Sequence, residues 1–190
     1  MTIEIILILF LFYFLVVFGL SQVFIPNLRW KTKKKARLPK EVTSSLKKIT
    51  SETKNKKEVL ERVLDYQLGF FHSKMKRVFH RFLLLFESSF STLWRKKGFL
   101  HCHQQGFITR TLLLNTGLFT DDDIKIRISA CYINIHQYLL VNIGEDKPEW
   151  IIVDGFAMSL GYPLGEKLHF FHYIYYENKG YSRRRVHFDT

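Results

Sequence analysis

Residues 136–155 read HQYLLVNIGEDKPEWIIVDG, and this stretch decides the fold. His136–Ile143 and Glu149–Asp154 are apolar, partly β-branched runs of strand length, and the GEDKP segment between them carries turn chemistry. The pattern predicts a β-hairpin, with His136 opening one strand and Asp154 closing the next. A regular hairpin centred on residue 145 sets the two side chains directly opposite on one face. Their Cβ atoms would then lie roughly 4.5–5.5 Å apart. A carboxylate at that distance suits a hydrogen bond from an imidazole.

Upstream, Ile124–Ile133 (IKIRISACYI) alternates Ile124, Ile126, Ile128, Ala130 and Tyr132 with largely polar neighbours, which is a strand signal. Downstream, Lys167–Tyr176 (KLHFFHYIYY) is expected to form a fourth strand, with a turn at 178–180. The preceding half is helical in pattern. Glu41–Thr50 is polar and short. Lys56–Phe71 places Val59, Leu60, Val63, Leu64 and Leu68 on one stripe, and Lys74–Arg95 places Val78, Phe79, Phe82, Leu83 and Phe86 on another. A further helix is expected from about His101 to Asn115, with Gly117 as its stop. Helices first and a strand meander after define an α+β domain over residues 41–190.

The first 25 residues differ in character. From Ile3 to Ile25 the chain is almost wholly apolar, with Glu4 as its one charge. About 20 such residues in a helix suffice for the ~30 Å hydrocarbon core, so residues 1–25 are expected to form a transmembrane anchor. Without Lys or Arg ahead of the run, and without small residues at its end, a cleavable leader is disfavoured. Residues 26–40 hold two prolines and a basic run (Arg29, Lys31, Lys33, Lys34, Lys35, Arg37, Lys40), a juxtamembrane linker suited to anionic lipid headgroups. The positive-inside rule then sets the N-terminus outside and the domain in the cytoplasm.

The 190-residue chain carries 29 Lys plus Arg against 17 Asp plus Glu, a net charge of +12. No nucleic-acid-binding signature accompanies that charge. Cys102 and Cys131 are the only cysteines, too few for a disulfide framework. Cys102 falls where a helix is expected to begin. There, unpaired backbone N–H groups and the positive end of the helix dipole favour thiolate over thiol. Cys131 falls within a strand. A nucleophile at Cys102, a base at His136 and an orienting carboxylate at Asp154 therefore form a candidate triad, read alongside the plainer possibility of an inert buried thiol. Zinc at His101, Cys102 and His103 is a weaker alternative. Adjacent helical residues point about 100° apart, and the usual ligand spacings are missing. His72, His80, His169 and His172 are read as packing or surface residues.

The order of these features resembles the transglutaminase-like superfamily of papain-fold cysteine enzymes. It comprises a helical lead-in, a Cys at a helix start, LLLNTG later in the helix, a strand, a strand opening with His, and WIIVDG. The resemblance spans roughly Lys56 to Tyr176. It implies Cys102 as nucleophile, His136 as general base and Asp154 as orienter, with no cofactor and a protein or peptide substrate. The chain departs from the family pattern in three places. The glycine near the Cys is Gly98, four residues upstream. The aromatic after the His is Tyr138. Gly155 follows the Asp where proline is common. The expected activity is peptide or amide hydrolysis through a Cys102 thioester, with transfer to an amine as a second outcome. Gln67 is a candidate second oxyanion donor without spacing to support it. The competing reading is a catalytically inactive, membrane-tethered protein-binding module that keeps the fold.

Overall fold

The computed structural model describes residues 3–28, 36–72, 82–131 and 134–168. Most of the basic run, Val78 and Phe79 of the Lys74–Arg95 stripe, the strand expected at 167–176 beyond Leu168, and His80, His169 and His172 lie outside them.

The apolar N-terminal segment is helical but not one regular helix. Helix α1 spans Ile3–Phe14, Leu15–Leu20 winds as a π-helix, and α2 spans only Ser21–Phe24. No helix among the described residues is long and apolar enough to cross a membrane. The 12 residues of α1 rise only about 18 Å, well short of the ~30 Å hydrocarbon core. The anchor expected at 1–25 is thereby corrected, and the orientation and cytoplasmic placement derived from it fall too. None of α1 is buried, but the chain returns to the domain after α2, where Asn27 and Leu28 are buried.

Helices α3 (Lys40–Glu52) and α4 (Lys56–Phe70) follow, the former longer than the polar sequence suggests. Asn55 caps α4 by accepting from the Glu58 N–H at 2.9 Å, the ordinary role of a short amide at a helix start. The expected stripe is buried at Val59, Leu60, Val63 and Leu64. Each such side chain contributes about 1.5–3 kcal/mol on leaving water. The same face buries Gln67, where the pattern points to Leu68.

Downstream of the residues outside the description, the Phe-rich stretch is two short elements. A 3-10 turn at Phe82–Phe86 is separated by Glu87–Ser89 from α5 (Phe90–Lys96). Ser89 breaks the run, because its hydroxyl caps α5 by accepting from the Thr92 N–H. A parallel pair, β1 (Phe71–His72) with β2 (Gly98–Phe99), then leads into α6 (Cys102–Thr116). Gly98, at φ 89°, supplies the left-handed backbone this entry requires. Gly117, at φ 81°, ends α6 in the expected way.

Helix α6 is the axis of the domain. All eleven residues from His103 to Leu113 are buried, between α3 and α4 on one side and the sheet on the other. The sheet is an antiparallel meander of β3 (Ile124–Cys131), β4 (Asn134–Asn142) and β5 (Trp150–Val153), followed by the single turn α7 (Gly155–Met158). Leu139 pairs with Val153 and Asn142 with Trp150, so the hairpin mirrors about residue 146, one residue beyond the expected centre. Asn142 sets this longer turn, its side chain accepting from the Gly144 and Glu149 N–H groups. The shift preserves parity. His136 and Asp154 stay on one face but become diagonal neighbours, and the continued register sets Tyr138 opposite Asp154.

Candidate active site

Cys102 is the first residue of α6, and the helix start is held by several independent contacts. His101 is the cap: its side chain accepts from the Gln104 N–H, while its own N–H donates to Gln104 Oε1 at 3.2 Å. Gln104 Nε2 donates in turn to the carbonyls of Leu84 and Glu87. Gln105 Nε2 donates to the Leu100 carbonyl at 3.1 Å, and the Leu100 N–H reaches the His72 carbonyl at 3.4 Å. A nucleophile on this turn is carried by fixed backbone and sees the positive end of a 15-residue helix.

The imidazole arrives from the start of β4. His136 Nε2–H donates to Asp154 Oδ2 at 2.5 Å, both residues being almost fully buried. The Asp154 carboxylate also accepts from the Leu168 N–H at Oδ2 and from the Ala157 N–H at Oδ1, both at 2.9 Å. It is thus fixed by three donors and caps α7. With Nε2 committed to the carboxylate, Nδ1 is the ring nitrogen that Asp154 does not use, and the imidazole is near enough to Cys102 to hold its thiol down. The structure therefore brings together Cys102, His136 and Asp154, from three elements 18 to 52 residues apart in sequence.

Two further groups reach the sulfur. His103, whose Nε2 lies 3.0 Å from the Leu85 carbonyl, is near enough to help hold the thiol down. The Gln137 peptide N–H donates to Cys102 Sγ at 3.5 Å. Burial pushes the Cys102 thiol up. Hydrogen bonds with His103 and His136, and the charge of His136, outweigh it and hold the thiol down to about 6. Burial pushes His136 down, but the Asp154 carboxylate and then the sulfur raise it to about 10. Both shifts favour a thiolate beside an imidazolium near neutral pH.

The Gln137 side chain does a second job that sequence reasoning missed. Its Nε2 donates to the carbonyls of Asn27 and Leu28 at 2.5 and 2.6 Å, tying the N-terminal strap to the strand that carries His136. The amide passes α6 at Gly106, where an added Cβ would come within 2.6 Å of Gln137 Oε1. The sequence signal was the pairing of a glycine inside a helix with a polar residue on an inward strand position.

Gln67 is not placed as an oxyanion donor. Its Nε2 donates to the Gln105 carbonyl at 3.3 Å, and its Oε1 accepts from Thr109 at 2.7 Å, so the amide serves the core between α4 and α6. The rings of His101 and His103 stack with centroids 5.9 Å apart, and each has its own hydrogen bond. Among the described residues no group of three or more His, Cys, Asp or Glu side chains could hold a metal ion. No family model, curated protein or solved structure matches this chain.

Proposed function

We propose that the chain is a cysteine acyl-transfer enzyme of transglutaminase-like type acting on amide bonds, with Cys102 as nucleophile, His136 as acid and base and Asp154 as orienter. The supporting observation is at His136: its Nε2–H is held by a buried carboxylate at 2.5 Å, while the Cys102 sulfur lies 3.5 Å from the peptide nitrogen of the next residue, Gln137, and its thiol is held down by the imidazole. Such a ring can accept the thiol proton, hold it as imidazolium, and return it in one fixed direction.

In the first half-reaction the Cys102 thiolate adds to the amide carbon, and the C=O pair moves to oxygen. The backbone N–H groups at the start of α6 are the donors this reading assigns to that oxyanion. Collapse breaks the C–N bond, and the His136 imidazolium gives its proton to the departing amine. The thioester remains. In the second half-reaction water adds, with His136 taking its proton. Collapse releases the carboxylic acid and restores the thiolate–imidazolium pair. An amine in place of water gives a new amide. All the protons move through His136, and no cofactor is called for.

A second reading, an inactive protein-binding module, draws on one observation: the sulfur already accepts from the Gln137 N–H at 3.5 Å. The two readings separate on a peptide library incubated with the full chain and with Cys102→Ala. The enzyme reading expects new peptide termini or amine adducts from the native chain alone. Identical product profiles for the two proteins would refute it.

A further inference from the structure

Tyr138, Arg127 and Lys167 stand next to the candidate triad on one face of the sheet, and their chemistry bears on the substrate. Cross-strand partners share a face, so the pairings Ser129–His136, Arg127–Tyr138 and Lys125–Leu140 put Lys125 and Arg127 on the side that carries His136. Two cation–π contacts mark the same face. Lys125 Nζ sits 3.8 Å from the Trp150 ring centroid, and Lys167 Nζ sits 4.8 Å from that of Tyr138. Tyr138 is two residues along the strand from His136, about 7 Å. Arg127, its register partner, and Lys167, above its ring, therefore sit one side-chain step along this face from His136. Lys125 and Arg127 are exposed.

Among the described residues, the charge carried by the strands of this sheet has one sign. Strands β3, β4 and β5 contain no Asp or Glu at all. Asp154, just past β5, is spent on His136 and two backbone N–H groups. The acids nearest these cations along the chain are exposed Glu166, next to Lys167, and Asp121–Asp123, just before β3, of which Asp121 pairs with Arg110 and Asp123 with Lys56. The aromatic rings of Tyr138 and Trp150 add flat apolar area between the cations, which suits a peptide backbone better than a bare ion.

We infer that this face is the substrate-binding surface and that it selects acidic peptide segments, with Arg127 and Lys167 flanking the residue next to the scissile amide and Lys125 reading an acid further along. The inference rests on the acyl-transfer reading of Cys102. Exposed cations act mainly through steering and orientation, so the preference is a matter of rate and falls with salt.

The test uses the full-length chain and three peptidyl chloromethyl ketones of matched length, one Glu-rich, one neutral and one Lys-rich. Each alkylates Cys102 by displacement of chloride, and labelling rates are read by mass. The Glu-rich peptide is expected to label about tenfold faster than the neutral one at low salt, with the advantage shrinking severalfold near about 0.5 M salt. In the K125E/R127E/K167E variant the order of the Glu-rich and Lys-rich peptides is expected to reverse. Equal rates for the three peptides would overturn the inference. So would protection of Cys102 by a single-stranded oligonucleotide where an unreactive acidic peptide gives none. Iodoacetamide keeps the two claims apart: brisk labelling by it without peptide discrimination sinks the acidic preference alone, and inertness to it sinks the acyl-transfer reading.

Discussion

Asp154 accepts from His136 at 2.5 Å although the two residues are not partners in the sheet register. The carboxylate lies one residue past the end of β5, where the chain turns into α7. It bridges diagonally to the ring instead of facing it. A regular hairpin would give the pair a straight approach. The observed one instead lets the same carboxylate hold the ring, cap α7 through Ala157 and anchor Leu168.

That triple role makes Asp154→Ala a structural lesion as well as a chemical one. Removing a buried, hydrogen-bonded carboxylate while leaving three donors in place is expected to cost about 3–5 kcal/mol in denaturant unfolding. Asp154→Asn keeps the acceptor oxygen for α7 and is expected to cost less than half as much, while still slowing Cys102 alkylation.

His136→Ala tests the activation of the sulfur. Without the imidazole the thiol loses a hydrogen-bond partner and its neighbouring charge, and its titration is expected to return toward the ordinary thiol range. Iodoacetamide labelling near neutral pH is expected to slow by roughly tenfold or more. An unchanged rate would assign the activation to His103 and the helix.

The two shifts also fix a pH dependence of stability. The folded thiol titrates lower than the unfolded one, so its contribution is lost as pH falls through about 6. The folded imidazole titrates higher than the unfolded one, so its contribution is lost as pH rises toward about 10. Between roughly pH 7 and 9 the two slopes oppose each other, because one group has released the proton that the other holds. In Cys102→Ser the thiol contribution is absent. Its unfolding free energy is expected to fall relative to the native chain across that window, by up to about 1 kcal/mol per pH unit. Parallel profiles from urea titrations would contradict the ion pair.

Gly106→Ala probes the strap. The new Cβ would collide with the Gln137 amide, which must withdraw from the Asn27 and Leu28 carbonyls. Destabilisation of about 1–3 kcal/mol is expected, together with faster proteolysis near residues 25–28. Gln137→Ala alongside Gly106→Ala is expected to relieve the clash without restoring the strap.

The strand signal over HQYLLVN and WIIV, the helix start at Cys102 and its stop at Gly117 were legible because each rests on local chemistry: alternation, turn residues, a glycine. The parity of the hairpin was legible for the same reason, but its exact centre was not, since Asn142 lengthens the turn through two side-chain bonds that no periodicity encodes. The apolar N-terminal run misled because composition reports hydrophobicity and not helical regularity. The chain there changes from α to π winding at Leu15. Gln137, Gly106 and His103 escaped because their roles arise only where α6, β4 and the strap cross. Gln67 invited an oxyanion role from its residue type, yet Thr109 and Gln105 claim it for the core.

The most direct test of the central claim is the rate of Cys102 alkylation by iodoacetamide as a function of pH, followed on the intact native chain. A thiolate held by His136 predicts a rate that is already near its plateau at neutral pH, with its midpoint near 6. A midpoint in the ordinary range of about 8.5, indifferent to His136→Ala, would contradict it.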